Sequence, residues 1–419
     1  MYKKLVVIFL LVIASTILLM DETVSAEETE SQERIQLLKR EVAYGKLSEG
    51  EFYPLAGLLK GMEYDLVEET EEYFVLPFGN GEMYVRKDNA RKVGKANYSV
   101  EPEPFITNIV TKSEVSVYNQ SKPGGKVIGK IKKGIRVPIK EAEAGFYQVQ
   151  FGGQKGYIYR KSTEEDTGIP VLMYHHLANE KSSTIYEGNL SVLETNKFRE
   201  QMRYLKQNGW RTVDLHVFEE WIKGKATLPD KVFLITFDDG YLSNVEYAYD
   251  YLKRLDFKAI SFLISSKVPE QSEAFDLWKY QYIGANDIMR TDDVFNYQLH
   301  THDFHRFNSK TNKSYLESES TFAISNDLNT GSTFLTSLQN AENEILSLAY
   351  PYGKTSDKAL TAMEENNIRL GFTIREGTVK MFDDPLRINR IRIHSQHTLE
   401  DFAKKLTNSY NESEIASTK

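Results

Sequence analysis

Val232-Phe233-Leu234-Ile235-Thr236-Phe237-Asp238-Asp239-Gly240 is the stretch on which the fold turns. Val232 to Ile235 read as a buried strand, apolar at every position. That strand runs directly into two adjacent carboxylates. Like charges side by side repel, and the exit of a buried strand is partly desolvated. A bound cation relieves both costs. A solvated Asp-Gly turn capping a helix explains the same residues without one. The pair alone does not choose between them.

Outward from this stretch, strands alternate with helices from about residue 168 onward. Residues 169–174 form an apolar strand. Thr195 caps a helix bearing Phe198, Met202 and Leu205 on one face, ending near Asn208-Gly209. A short helix with Phe218 and Trp221 follows. After Gly240 come a helix through Val245, Tyr249 and Leu252, and a strand over 259–264. Further on lie a strand over 345–349, a helix over about 355–366, strands near Gly371 and over 388–393, and a helix from about Thr398. This alternation implies a mostly parallel sheet or barrel covered by helices. Such folds place their chemistry at the C-terminal ends of strands.

Four other motifs carry chemistry. His300-Thr301-His302-Asp303-Phe304-His305 holds three of the chain's eight His. Imidazole is the commonest metal ligand at neutral pH. His300 and His305 are five apart, so they share no helical face and converge on a metal only through a loop. Two His and one carboxylate leave a position open for water, as a catalytic zinc site requires. A surface His run or an N-cap at Thr301 or Asp303 is the plain alternative. Val171-Leu172-Met173-Tyr174-His175-His176 puts a His at another strand end, where a satisfied core residue is the ordinary explanation. Leu348-Ala349-Tyr350-Pro351-Tyr352-Gly353 is a strand entering a tight turn, whose backbone N–H groups are able to face an oxyanion. Arg387-Ile388-Asn389-Arg390-Ile391-Arg392-Ile393-His394 reads as a half-exposed strand, with His394 at the surface.

The N-terminal half has another character. Lys3-Lys4 precede an apolar run over residues 5–20, and Val24-Ser25-Ala26 offers a small-x-small cleavage site. This is the pattern of a secretory signal peptide over residues 1–26; an uncleaved anchor is the other reading. Residues 27–100 begin with Ile35, Leu37 and Leu38 on a short helix and turn strand-like, with Phe78-Gly79-Asn80-Gly81 as a hairpin turn. Residues 105–162 hold five short strands separated by Gly and Lys clusters, which read as a small β-barrel. They resemble bacterial SH3-like domains, including the closing Gly156-Tyr157-Ile158. Residues 27–100 read as a degenerate copy, and residues 163–168 as a polar linker. The 52 basic and 60 acidic residues give a net charge of −8, which speaks against a nucleic-acid partner. With no cysteine, disulfides, thiolate metal sites and a Cys nucleophile are excluded.

The five motifs, in this order over residues 168–408, resemble the NodB-homology polysaccharide deacetylases of carbohydrate esterase family four. Within that family the likeness is to the subgroup acting on biofilm poly-β-1,6-N-acetylglucosamine. The resemblance implies an α/β fold: a distorted (β/α) barrel of the NodB type, preceded by one or two small SH3-like β-barrels. It implies Asp238 as general base, His175 as general acid and the Tyr352 N–H as oxyanion donor. It implies Asp239, His300 and His305 as ligands of a divalent metal. Zinc suits that set, and cobalt, nickel or iron also fit. The implied partner is an N-acetylglucosamine polysaccharide, with the SH3-like domain contacting cell-wall peptidoglycan and the protein secreted or surface-associated. Two departures stand out. The His pair is spaced five apart where many members have four. The Arg that many members carry before the Pro-Tyr turn is absent, and Arg390 is a candidate to replace it as partner of Asp238. Peptidoglycan as substrate, and a non-catalytic wall-binding protein, are the competing readings.

Overall fold

The computed structural model describes residues 31–48, 50–97, 105, 107–142, 145–179, 186–340 and 343–409. The expected signal segment lies outside them. Among the described residues no helix is long and apolar enough to cross a membrane.

The C-terminal half is built on a curled half-barrel of parallel strands. Their order is Leu370–Phe372, Ser347–Ala349, Phe295–Leu299, Ala259–Leu263, Val232–Phe237, Val171–Tyr174 and Ile391–Arg392. All six pairings along this path are parallel. Every residue of Val232–Phe237 is buried; Val232–Ile235 and Phe237 are apolar, and the Thr236 hydroxyl donates to the Leu172 carbonyl. One parallel bridge joins Phe372 to Ile388, the segment leading into the last strand. Amphipathic helices cover the sheet. Thr195–Gln207 buries Phe198, Met202 and Leu205, and Leu242–Leu255 buries Val245, Ala248 and Leu252. Such 3.6-residue spacing is what turns an apolar stripe toward a core.

The N-terminal half is all β, and its two segments are not separate beads. A twelve-stranded antiparallel sheet runs through both. Val127–Ile131 pairs with Glu51–Leu58, and Phe151 pairs again with Phe78. The expected helix around Ile35 is instead the strand Ser31–Leu37. Ile35 and Leu37 are buried alternately, a period of two, and the strand pairs with both Glu63–Asp65 and Ala90–Asn97. The expected linker also begins as a strand: Thr163–Glu165 pairs with Thr107–Thr111.

The two halves share one buried apolar cluster, which runs from Ile35 and Val137 to Trp221, Val232 and Ile388. At its edge lies a buried polar knot. The Arg136 guanidinium, 2% exposed, donates to Asp166 at 3.0 Å, to the Gly168 carbonyl at 2.9 Å and to the Pro229 carbonyl. Gly168 and Pro229 each lie three positions before the strands Val171–Tyr174 and Val232–Phe237. The β unit therefore docks on the N-terminal ends of the central strands, about 20 Å from their C-terminal ends at ~3.3 Å per residue. Arg136→Ala leaves the buried Asp166 carboxylate without its counter-charge, holding only the Gly168 N–H at 2.9 Å, and strips the side-chain donor from two carbonyls. It is expected to cost about 3 kcal/mol, measured by urea unfolding. A loss below ~1 kcal/mol contradicts a buried knot.

Candidate active site

Two left-handed residues end the Val232–Phe237 strand. Asp239 has φ 71° and Gly240 has φ 74°. A short polar residue tolerates this conformation, and glycine takes it freely. A Cβ at Gly240 would lie 2.6 Å from Leu263, so glycine is required there twice over. The turn separates the two carboxylates. Asp238 points inward and is 3% exposed; Asp239 faces the cleft.

Asp238 is gripped by Arg390, which is fully buried. The two side chains form a bidentate pair at 2.7 and 2.8 Å. Arg390 also donates to the Thr373 carbonyl at 2.7 Å and to Thr236 Oγ1 at 3.2 Å. Burial pushes the Asp238 carboxyl up. The Arg390 charge and hydrogen bonds, with the charges of His300 and His175, outweigh that and hold it below the ordinary carboxylate value.

Asp239 faces two imidazoles. Its Oδ1 lies 3.5 Å from His300 Nε2 and 3.4 Å from His305 Nε2. Ligand bonds of about 2.1 Å in a tetrahedral arrangement place donor atoms ~3.4 Å apart. The spacing thus fits one small divalent ion. His300 Nδ1 lies 2.7 Å from the Ala349 carbonyl, which fixes the tautomer and leaves Nε2 to face Asp239. His305 Nδ1 lies 3.2 Å from the Tyr352 hydroxyl, and the two rings pack at 4.6 Å. Burial and the His300 charge push His305 down to about 4, leaving it neutral and able to ligate at neutral pH. His302 turns away instead, to Ser265 Oγ at 3.0 Å. The His pair in the cluster is therefore the five-residue one.

His175 follows the Val171–Tyr174 strand, near enough for its charge to lower both Asp238 and Asp239. Tyr352 sits in the turn after Ser347–Ala349 with φ 58° and ψ 14°. All six residues singled out from the sequence thus gather at the C-terminal ends of the parallel strands.

Known proteins match this arrangement. A polysaccharide deacetylase family profile matches residues 225–371, and a bacterial SH3 domain profile matches residues 113–164. A poly-β-1,6-N-acetyl-D-glucosamine N-deacetylase of Staphylococcus aureus is 30% identical over 257 residues, which is 59% of this chain and 85% of that protein. A protein of the same name from Staphylococcus epidermidis is 29% identical over 206 residues, covering 49% of this chain and 68% of its own. The chain belongs to the polysaccharide deacetylase family. It is a hydrolase of N-acetyl amides. The fold also matches a solved Streptococcus pyogenes deacetylase in complex with acetate. The TM-score is 0.50 at 23% identity, over 57% of this chain and 98% of that one.

The cleft of this deacetylase, about 220 Å³, is lined by Asp239, Tyr241, Tyr282, His305 and Arg306, among others. Beside it stands an aromatic wall. Burial and then the charge of nearby Asp239 push the Tyr241 phenol up, and its ring stacks on His176 at 4.7 Å and on Tyr282 at 5.6 Å. Tyr280, 49% exposed, packs edge-on against Tyr186 and His176. Burial pushes His176 down to about 4, so this ring is neutral. The segment carrying Tyr280 and Tyr282 is tied to the catalytic turn. Leu242 N donates to Gln281 O and Ile283 N to Gly240 O, both at 2.9 Å. Sequence reasoning did not find Tyr241 or Asp327, which clasps the His loop. Tyr241 was within reach, since it follows Gly240 directly. Asp327 lies in a Ser/Thr/Asn-rich helix beside its buried apolar stripe of Ile324, Leu328 and Leu335, and nothing in that pattern marks the carboxylate.

Proposed function

We propose that this deacetylase removes N-acetyl groups from an extracellular poly-β-1,6-N-acetylglucosamine, giving acetate and glucosaminyl residues. The observation that carries the reading is the Asp239–His300–His305 cluster at strand ends, beside an Arg390-bound Asp238. The name of the Staphylococcus relatives supports the substrate. Export rests on residues 1–26.

Asp239 and the Nε2 atoms of His300 and His305 hold the metal, for which zinc is the first candidate. When bound there, it supplies Lewis-acid polarisation of the acetamide carbonyl and of water. Each Asp238 oxygen keeps a lone pair beyond its Arg390 hydrogen bond, so Asp238 serves as general base and takes the proton of the attacking water. The Tyr352 N–H donates to the developing oxyanion. His175, at the end of the Val171–Tyr174 strand that pairs with Val232–Phe237, protonates the leaving amine. In this reading residues 168–408 form the NodB-type domain, with a distorted barrel as its core. The SH3-like unit over 105–162, with 27–100 beside it, is an anchor that faces away from the chemistry.

The aromatic wall suits a sugar polymer, because pyranose faces bury their C–H surface on aromatic rings. Tyr280→Ala is expected to raise KM for oligomers about three- to ten-fold with kcat little changed, the size of one ring contact. An unchanged KM, read from steady-state acetate release, removes Tyr280 from the binding surface. The substrate assignment is tested by free-amine release from poly-β-1,6-N-acetylglucosamine oligomers and from peptidoglycan fragments. Activity on the first is expected. Activity on wall fragments alone overturns the choice.

A further inference from the structure

His300 and His305 face one carboxylate although they lie five positions apart, so the chain between must turn sharply. The turn is made at Thr301, with φ 69°. A β-branched residue strongly disfavours that left-handed conformation. Thr301 is fully buried and its hydroxyl finds no hydrogen-bond partner, so its own side chain offers no compensation. The support comes from a distant helix, Thr321–Thr336. Asp327 Oδ2 accepts from His302 N and Oδ1 accepts from Asp303 N, both at 2.8 Å. Two successive amides on one carboxylate form a charge-assisted clasp. Gly331, one turn further along that helix, lets it approach closely. A Cβ there would lie 2.6 Å from Leu299, 2.9 Å from Ser265 Oγ and 3.4 Å from the His302 Cβ.

We infer that Asp327 is a positioning residue that holds the strained Thr301 turn, and so sets His300 and His305 at metal-ligand spacing. This rests on the metal-binding reading of the triad. Other ties of the loop do not involve Asp327: His302 Nδ1 lies 3.0 Å from Ser265 Oγ, and two more are backbone ones. Thr301 O accepts from Ser265 N and His302 O from Ser266 N, at 3.1 and 3.0 Å. They survive substitution of Asp327, which isolates the clasp as the variable.

The test is Zn²⁺ affinity of the full chain, read by competition with a chromogenic chelator, beside thermal unfolding without metal. Asp327→Ala is expected to weaken Zn²⁺ binding about ten- to hundred-fold, as loss of a residue supporting a ligand does. Asp327→Asn keeps one acceptor and falls between. It carries the test if the alanine variant fails to fold. Thr301→Gly discriminates the clasp from general helix packing, because glycine takes φ 69° without strain. In that background Asp327→Ala is expected to cost less than half as much on a logarithmic scale. Asp327 variants that bind Zn²⁺ within two-fold of wild type overturn the proposal. So does a loss undiminished by Thr301→Gly. Wild-type protein that binds no Zn²⁺ overturns the triad reading itself, and the clasp with it.

Discussion

Asp239→Ala is expected to leave a folded protein that holds no divalent ion and deacetylates at least about a thousand-fold more slowly. The magnitude follows from what is removed. Lewis-acid stabilisation is worth several kcal/mol, and each 1.36 kcal/mol is a factor of ten in rate. Asp239 is the only carboxylate of the cluster and touches both imidazoles. Without it, two imidazoles remain, too few to close a site on a small dication. The fold should survive, because the buried polar pair nearby is Asp238 with Arg390, and that is untouched. Metal per chain by atomic emission and acetate release from oligomers check the two halves of the result. A variant that retains one ion per chain contradicts the ligand assignment.

Arg390→Met is expected to damage both stability and rate. It strips the bidentate partner from a carboxylate that is 3% exposed. An uncompensated buried charge costs about 3–5 kcal/mol. The pH dependence distinguishes this from simple packing loss. In the wild type the Asp238 carboxyl lies below its unfolded value. Its stabilisation is therefore present above about pH 4 and is lost as pH falls through the folded value. Without Arg390, burial dominates and the folded value rises above the unfolded one. The sign then reverses: the variant gains stability as pH falls, and its deficit against wild type narrows in acid. The acid limb of the rate profile moves to higher pH, because the base must be ionised to accept a proton. Urea unfolding across pH, with kcat/KM over the same range, reads both. A deficit constant from pH 4 to 8 contradicts the pairing.

Much of this site was legible before any coordinates. The unbroken apolar run before Asp238 announced a buried strand, and the run of carboxylates after it announced a cost needing relief. The three His in six residues supplied candidate partners, and the strand ends at Tyr174 and Ala349 supplied positions. Arg390 enters as a candidate for the family's Arg that is absent before the Pro-Tyr turn, and the structure pairs it with Asp238. What escaped was tertiary. Ile35, Leu37 and Leu38 read as a short helix because the period of two is brief, and Ser31–Leu37 becomes a strand only through partners on both sides. The join of the two β segments depends on pairings such as Lys130 with Gly57, distant in sequence. Asp327 makes its contacts 24 and 25 residues back along the chain, from a helix whose apolar stripe of Ile324, Leu328 and Leu335 gives no sign of the carboxylate beside it.

The central claim is that a single divalent ion on Asp239, His300 and His305 serves a sugar N-deacetylase. Free-amine appearance from poly-β-1,6-N-acetylglucosamine oligomers tests it most directly, measured before chelation, after chelation and after adding back one equivalent of Zn²⁺. Amine matched by acetate, lost on chelation and restored by the ion, is the result expected. Amine release that persists undiminished in the chelated protein, or none from the protein loaded with any of zinc, cobalt, nickel or iron, contradicts it.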